Sequence, residues 1–309
     1  MHELRRYRRA IAGSGVSHAL IQAPEALIGT ADWGWQSLCY LFSGMVNPLR
    51  CCRYPGVRPL APLFDWVFFR SLRRAAVVLA AADLATIEDF KRTFQRELRN
   101  RDILQFPSAV DLQVWHPTSK LEASHNVGLR PTVPRIAFCG RLNRVKGWDL
   151  ILEAFAIVRR EFRRDAELVV IGDGEDRGDF TAAVSRMGLV DSVTITGFQP
   201  PEVAVNYINA SDIVVFGSIW EGWSNVMNEA LACGKPIVTT KVSGATTLLS
   251  DPANGIIVPS RDPLTFARAI VNAFEIQDPE GIRTRTVAGW SVDRLADRLT
   301  GVWLGQDMP

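Results

Sequence analysis

The sequence lacks several features that would define its class at once. Its 309 residues contain no apolar run long enough to span a membrane, and the longest, at 75–82, has the length of a buried strand. The basic N-terminus MHELRRYRRA is not followed by the apolar core and cleavage site of a signal peptide. Internal repeats and low-complexity segments are also absent from the sequence. We therefore expect a globular protein of the cytoplasm.

Cysteines are few, and their spacing excludes the common cysteine-built sites. The chain has five of them, which is an odd number, and no spacing among them is typical of a metal site. They are Cys39, Cys51, Cys52, Cys139 and Cys233. We expect them to be reduced thiols, as is usual in the cytoplasm.

The net charge of +2 conceals an uneven distribution. Residues 1–134 carry 17 Lys and Arg against 11 Asp and Glu, whereas residues 135–309 carry 18 against 22. The basic first part predicts one of two things. It is either a contact with an anionic partner, such as the inner face of a membrane or a phosphorylated acceptor, or a solvated basic face. The sequence leaves both interpretations open, and no nucleic-acid partner is expected.

From residue 135 onward, short runs rich in Val and Ile alternate with longer segments of helical periodicity. They predict six strands, at 135–139, 167–171, 192–196, 212–216, 236–240 and 255–258. Strands joined in this way by helices form a parallel sheet covered on both faces, so the predicted class is a doubly wound α/β fold. Ligands of such folds bind at the carboxyl ends of the strands, and we therefore examine the residues that follow each strand.

The first part of the chain is less regular. Its pattern predicts strands at 17–22, 37–42 and 76–81, and helices at 3–12, 63–74 and 86–99. We interpret His18 as a partly buried strand residue rather than a catalytic one. Four prolines between residues 106 and 134 predict a linker between two domains.

The loop after the first of the six strands reads GRLNRVKG, residues 140–147. It places Arg141 and Lys146 five residues apart, between Gly140 and Gly147, at the carboxyl edge of the predicted sheet. Two cations ahead of a helix form an anion site of diphosphate size. Taken by itself, this loop is better explained by two solvated surface cations.

The loop after the fourth strand reads SIWEGWSNVMNEALACG, residues 218–234, and it changes that balance. Ser224 or Asn225 can cap the following helix, whose first free N–H groups would bind phosphate oxygens. Glu229 stands four residues after Asn225, on the same helix face, and its carboxylate suits a ribose diol. The alternative that Glu229 is merely an exposed glutamate on the helix surface is weaker than a binding role. For Glu221, the alternative that it is a loop residue without a functional role remains open.

Together the motifs GRLxxxKG and EGxxNVxxEA resemble the family-four retaining glycosyltransferases of the GT-B fold, over about 135–303. The resemblance implies that the chain moves a sugar from a nucleotide-diphosphate sugar to a glycan or lipid-linked acceptor, without metal or cofactor. It implies that Arg141 and Lys146 stabilise the leaving diphosphate, that Glu221 contacts the sugar and that Glu229 holds the ribose. The implied donor-binding residues are Gly140, Gly222, Trp223, Ser224, Asn225, Val226 and Glu229.

The same resemblance implies two Rossmann-like lobes. The expected domains are a first lobe at 1–125, a donor-binding lobe at 126–285 and a helix at 286–309 that returns to the first lobe. The opening strand and glycine-rich loop of the family are not found, and Ser43 stands where the family has a catalytic histidine. We therefore expect an incomplete first lobe, completed by a partner or by sequence upstream of Met1.

Three other functions were considered. The segment GDGEDRG, residues 172–178, follows a strand and is superficially similar to the GxGxxG loop of a dinucleotide-dependent oxidoreductase. We reject this function, because the last glycine of the segment falls one residue late for that motif and its three acidic residues would repel a pyrophosphate. A nucleotide-sugar epimerase of the same fold is disfavoured by the EGxxNVxxEA loop. A non-catalytic or fragmentary donor-binding protein remains open.

Overall fold

The computed structural model of the chain describes residues 15–42, 55–99 and 101–304, together with Arg8, Ile11 and Leu49. The chain forms two compact units, Met1–Ser108 with Ala296–Pro309, and Ala109–Leu295. The division at Ser108 falls earlier in the chain than the boundary predicted after residue 125. Ser43, Cys51, Cys52 and most of the helix predicted at 3–12 lie outside the described residues.

The first unit contains a four-stranded parallel sheet with the order β1-β2-β3-β4. Its strands are β1 (His18–Ile21), β2 (Ser37–Phe42), β3 (Val77–Ala80) and β4 (Leu104–Gln105). Its helices are α1 (Pro24–Thr30), α2 (Ala61–Leu72), which follows a 3-10 turn at Pro55–Leu60, and α3 (Leu84–Thr93). The three predicted strands and the helix at 63–74 are confirmed, whereas β4 and α1 were not predicted. The helix predicted at 86–99 forms but ends at Thr93, six residues early. An aromatic core that includes Tyr40, Phe42, Phe68 and Phe69 fills the space between sheet and helices.

His18 lies on a strand, as predicted, but the predicted partial burial was wrong. Its side chain is exposed, because β1 lies at the edge of the described sheet and its residues alternate between exposed and half-buried positions. His18 lies at the first of the exposed positions, and the hydroxyl of Ser17 lies 2.9 Å from its Nδ1.

The second unit contains a six-stranded sheet, and all of its pairs are parallel. The strands are β5 (Arg135–Cys139), β6 (Glu167–Ile171), β7 (Val193–Gly197), β8 (Ile213–Phe216), β9 (Ile237–Thr240) and β10 (Gly255–Val258). The six predicted strands are confirmed, with bounds that differ by at most one residue. Their order is β10-β9-β8-β5-β6-β7, so the winding direction reverses between β5 and β8. A crevice between the carboxyl ends of two such strands is where ligands of this architecture bind.

The helices of the second unit lie before, between and after these strands in the chain. They are α4 (Lys120–Asn126), α5 (Trp148–Ile157), α6 (Arg177–Arg186), α7 (Pro201–Asn209), α8 (Asn225–Ala232), α9 (Ala245–Leu248), α10 (Pro263–Ala273) and α11 (Pro279–Trp290). The chain continues into α12 (Val292–Leu304). Helix α4 lies inside the stretch that the prolines predicted as a linker, and Ser119 caps it by accepting a hydrogen bond from the N–H of Glu122 at 3.2 Å.

The amino ends of the central strands are joined by a buried arginine. The Arg135 side chain is 1% exposed and donates to the carbonyl of Ala210 at 2.7 Å and to the Glu167 carboxylate at 2.9 Å. These bonds connect β5 to β6 and to the residues that lead into β8. A buried charge must be paired in this way to be tolerated. The arginine therefore fixes the frame at the end of the sheet opposite the candidate site.

Within the described residues, none of the helices combines the length and the apolar character that a membrane crossing requires.

Candidate functional site

The loop that follows β5 ends in a tight turn. Residues Arg144–Lys146 form one turn of 3-10 helix, and the Asn143 side chain accepts a hydrogen bond from the N–H of Lys146 at 3.0 Å. Gly147 ends the turn with φ +68°, a left-handed conformation that favours glycine. The chain then enters α5 directly. The turn thus holds Lys146 at the carboxyl end of β5.

This loop is locked to the loop that follows β8. A Cβ added to Gly147 would lie 1.8 Å from the carbonyl oxygen of Gly217, so the two backbones touch at a point where no side chain fits. Close by in the same two loops, the N–H of Ile219 donates to the carbonyl of Val145 at 2.8 Å. The two predicted motif loops are therefore a single backbone unit at the switch point of the sheet.

Lys146 and Glu221 form an ion pair across these loops. The Lys146 Nζ lies 2.7 Å from Glu221 Oε1 and 2.9 Å from Oε2, and the Glu221 side chain is 8% exposed. The buried hydroxyl of Ser218 donates to the same Oε1 at 2.6 Å. Charge-assisted bonds of this kind hold a carboxylate in one orientation. The structure thus brings together the lysine predicted to face phosphate and the glutamate predicted to face the sugar.

Two residues that the motifs did not predict donate hydrogen bonds to the backbone that carries Ser218 and leads to Glu221. The Thr240 hydroxyl, at the end of β9, donates to the carbonyl of Ser218 at 2.6 Å. The Arg261 guanidinium donates to the carbonyl of Gly217 and reaches Asp149 at 3.3 Å. Thr240 is the last residue of β9 and Arg261 follows β10, so their position at the carboxyl end of a strand was the signal in the sequence that could have found them.

Helix α8 presents its N-terminus beside the pair. Ser224 occupies the N-cap position predicted for it or for Asn225, but its side chain makes no capping hydrogen bond. The first turn contains no acidic residue. The N–H groups that begin an α-helix have no partner within the helix, and the helix dipole favours an anion there. The predicted phosphate-binding backbone at Ser224–Val226 therefore has the electrostatics that a phosphate needs.

Glu229 lies one turn into α8 and is largely desolvated. Burial raises the pKa of its carboxyl to about 7. Its charge also contributes, after burial, to the raised pKa of the Cys139 thiol at the end of β5. Glu229 therefore lies close to the end of that strand. Among the described residues no side chain forms an ion pair or hydrogen bond with its carboxylate, which is thus available to a ligand.

The other predicted residues differ in exposure. Arg141 is exposed, and no carboxylate in the described part of the chain pairs with it. Asn225 is also exposed, while Gly140, Gly222 and Val226 are half-buried. Trp223 is 8% exposed and its ring covers Gly244, where an added Cβ would lie 3.0 Å from the ring. The indole is thus part of the wall that positions the loop before α8.

The GDGEDRG segment, rejected above as a dinucleotide loop, supports the first motif loop. The N–H of Leu142 donates to the carbonyl of Asp173 at 3.0 Å, and the N–H of Asp176 donates to the carbonyl of Leu142 at 3.1 Å. A Cβ on Gly174 would lie 2.2 Å from the Leu142 oxygen. Gly174 thus allows the two backbones to touch.

Comparison with known proteins gives this site a context. Residues 133–275 match the family model described as Glycosyl transferases group 1. The chain is 33% identical over 187 residues to a D-inositol 3-phosphate glycosyltransferase of Segniliparus rotundus. The aligned region covers 59% of this chain and 41% of that relative. The chain is also 28% identical over 253 residues to an alpha-D-kanosaminyltransferase of Streptomyces kanamyceticus, and the aligned region covers 78% of this chain and 64% of that relative. The chain thus spans less than two thirds of the length of these relatives.

Solved structures show the same fold at lower identity. Sucrose-phosphate synthase of Thermosynechococcus elongatus superposes with a TM-score of 0.77 at 19% identity, over 98% of this chain and 76% of that one. HepE of Anabaena in complex with UDP and glucose superposes with a TM-score of 0.76 at 16% identity, over 97% of this chain and 80% of that one. These likenesses confirm the predicted α/β class and the GT-B fold with its two Rossmann-like lobes.

Proposed function

Because residues 133–275 match the family model described as Glycosyl transferases group 1, we propose that the chain transfers a sugar from a nucleotide-diphosphate sugar to an acceptor, with retention of anomeric configuration. The observation that carries the proposal is the Lys146–Glu221 pair, held beside the N-terminus of α8 at the switch point of the sheet. A cation, a carboxylate and a helix N-terminus at one place suit a ligand that has both phosphates and hydroxyls.

The diphosphate would be bound by three positive groups. The Lys146 ammonium has three N–H donors, and the two oxygens of Glu221 engage two of them, which leaves one for a phosphate oxygen. The exposed Arg141 supplies a guanidinium that fits phosphate in bidentate fashion. The first N–H groups of α8 supply the third. Such fixed positive groups stabilise the charge that develops on a leaving diphosphate, which is the role a divalent metal has elsewhere.

The two glutamates would bind the two sugars of the donor. Glu221 is held in one orientation by Lys146 and Ser218 and can accept a hydroxyl of the transferred sugar. Glu229, near the end of β5, can accept the two hydroxyls of the ribose once its carboxyl is ionised. HepE was solved with UDP and glucose, which makes UDP-glucose the first donor to test. The acceptor is proposed to be a glycan or a lipid-linked sugar.

The test of this function is calorimetric titration of the full chain with UDP, GDP and ADP and with their glucose conjugates, in the presence of EDTA. We expect one nucleotide series to bind, and adding an excess of Mg²⁺ should change its Kd by less than about twofold, because protein cations neutralise the diphosphate. Binding that disappears in EDTA and returns with Mg²⁺ would contradict the assignment of Arg141, Lys146 and α8 as the diphosphate site.

The role of Glu229 predicts a pH-dependent affinity. Burial raises its pKa to about 7, so the ionised form that accepts ribose hydroxyls is lost as the pH falls below 7. A nucleotide sugar has no titrating phosphate oxygen near pH 7, so we expect its affinity to fall about tenfold between pH 8 and pH 6. The Glu229→Gln variant should bind more weakly at pH 8 by about 1–3 kcal/mol and show a flat profile.

Glu221→Gln is the matched control for this experiment. It should keep the pH profile, since Glu229 is unchanged, and it should weaken the nucleotide sugar more than the bare nucleotide diphosphate. If Glu229→Gln retains the pH dependence, or if both variants weaken both ligands equally, the assignment of the two glutamates is wrong.

A further inference from the structure

One helix of the first unit has large apolar side chains on both faces. Phe68, Phe69 and Leu72 of α2 are buried in the aromatic core. On the other side Leu63 is 60% exposed and Trp66 is 62% exposed, one helical turn apart, and Leu60 at the N-cap is 54% exposed. A contiguous exposed apolar surface of this kind is typical of an interaction site.

Arginines continue this surface at the end of the helix. Arg70 lies one turn after Trp66, and its guanidinium is 5.9 Å from the centre of the indole ring. Arg73 and Arg74 follow the last residue of α2, and all three arginines are exposed. We call Leu60, Leu63, Trp66, Arg70, Arg73 and Arg74 the α2 outer face.

These arginines differ from the other basic residues nearby. On α3, Lys91 pairs with Glu88 at 3.5 Å and Arg92 pairs with Asp89 at 3.0 Å. In the part of the chain that the structure describes, no carboxylate forms an ion pair with Arg70, Arg73 or Arg74. Arg101 adds a fourth cation at the same end, because it donates to the carbonyl oxygens of Arg73 and Ala75. The α2 outer face is thus an apolar stripe that ends in uncompensated positive charge.

We propose that the α2 outer face binds an anionic phospholipid surface. Leu and Trp side chains on one face of a helix enter the boundary between headgroups and acyl chains, and Trp favours this boundary in particular. Arginines beside them bind headgroup phosphates, each adding about a factor of five to the affinity near an anionic leaflet. The three arginines, which no carboxylate of the described residues pairs with, complement the negative charge of such a leaflet, and this charge complementarity favours the lipid surface. This surface lies in a different unit from the candidate donor site, and the inference stands apart from the proposed transfer reaction.

The test is flotation of the full chain with lipid vesicles. One set is phosphatidylcholine alone, and the other contains about a third phosphatidylglycerol. We expect binding to the anionic vesicles only, weakened as the salt concentration rises, because salt screens the arginines. The triple variant Arg70→Glu, Arg73→Glu, Arg74→Glu should lose roughly a hundredfold in vesicle affinity. The double variant Leu63→Ser, Trp66→Ser should lose about tenfold or more.

The control has the same kinds of substitution on the second unit. Arg186 and Met187 are exposed at the end of α6, and Arg186→Glu with Met187→Ser should bind vesicles like the unchanged chain. Circular dichroism and nucleotide titration confirm that each variant is folded. Failure of the unchanged chain to float, equal binding to neutral vesicles, or α2 variants that float like the control would overturn the proposal. So would substitutions on the α2 outer face that alter the oligomeric state instead, since a second copy of the chain would then be the occupant.

Discussion

Replacing Lys146 with methionine is expected to weaken binding of the nucleotide diphosphate by about 10- to 150-fold. Methionine keeps an unbranched apolar stem of similar length but removes the charge. The lost interaction is a charge-assisted hydrogen bond to a phosphate oxygen, worth about 1.5–3 kcal/mol. The substitution also removes one of the two side chains that hold Glu221, leaving Ser218 as its hydrogen-bond donor. The nucleotide sugar should therefore lose at least as much affinity as the bare diphosphate.

The matched control is Arg144→Ala in the same 3-10 turn. Arg144 is exposed, and its guanidinium lies 5.9 Å from the centre of the Trp148 ring rather than beside Glu221. Removing it also lowers the positive charge of the loop by one, so it separates a general electrostatic effect from a specific contact. We expect less than about a threefold change in Kd, since exposed charges contribute little. Equal losses for Lys146→Met and Arg144→Ala in calorimetric titration would mean that the loop attracts the diphosphate without a specific lysine contact.

Replacing Gly147 with alanine is expected to destabilise the second unit by about 3 kcal/mol or more, or to prevent its folding. The added Cβ would lie 1.8 Å from the Gly217 carbonyl oxygen, a backbone atom that cannot rotate away. The residue would also be forced to keep φ +68°, which costs an alanine roughly 1–2 kcal/mol by itself. If the protein relaxes by separating the two loops, the Lys146–Glu221 pair is lost and so is nucleotide binding.

Gly128→Ala is the control that separates the two causes. Gly128 has φ +69°, but a Cβ there would meet no atom within 4 Å. The Gly128 variant should therefore show only the conformational cost of about 1–2 kcal/mol. Urea denaturation followed by circular dichroism measures both variants. Similar denaturation midpoints for the two would show that the close contact between Gly147 and Gly217 has no energetic importance.

The strands of the second unit could be predicted because their pattern is local. A run such as RIAFC at β5 or ELVVI at β6 is apolar throughout, since both faces of a parallel strand are covered by helices. The helix α4 was missed for a related reason. Its seven residues are short and polar, so they lack the apolar stripe that marks a helix in the sequence. His18 was judged more buried than it is, because a strand sequence does not tell whether the strand lies at an edge of the sheet.

The candidate site also has a part that the sequence could predict and a part that it could not. Arg141, Lys146, Glu221 and Glu229 could be proposed from the sequence because each follows a predicted strand or lies on the helix after it. The contact between Lys146 and Glu221 joins residues 75 positions apart, and Ser218 became significant only when its hydroxyl was found on the Glu221 carboxylate. Arg261 comes from a loop that contains no motif, and its bond to the Gly217 carbonyl depends on the order of strands in the folded sheet.

The sequence by itself determined the six strands of the second unit and the loops that carry its charged residues, because periodicity and turn chemistry act over a few neighbouring residues. The tertiary structure decided which of these loops touch. Winding reverses between β5 and β8, and this reversal places the carboxyl ends of those two strands side by side. Two glycines there allow backbone contact, and a lysine and a glutamate pair across it. Strand order depends on packing across the whole sheet, so no local stretch of sequence contains it.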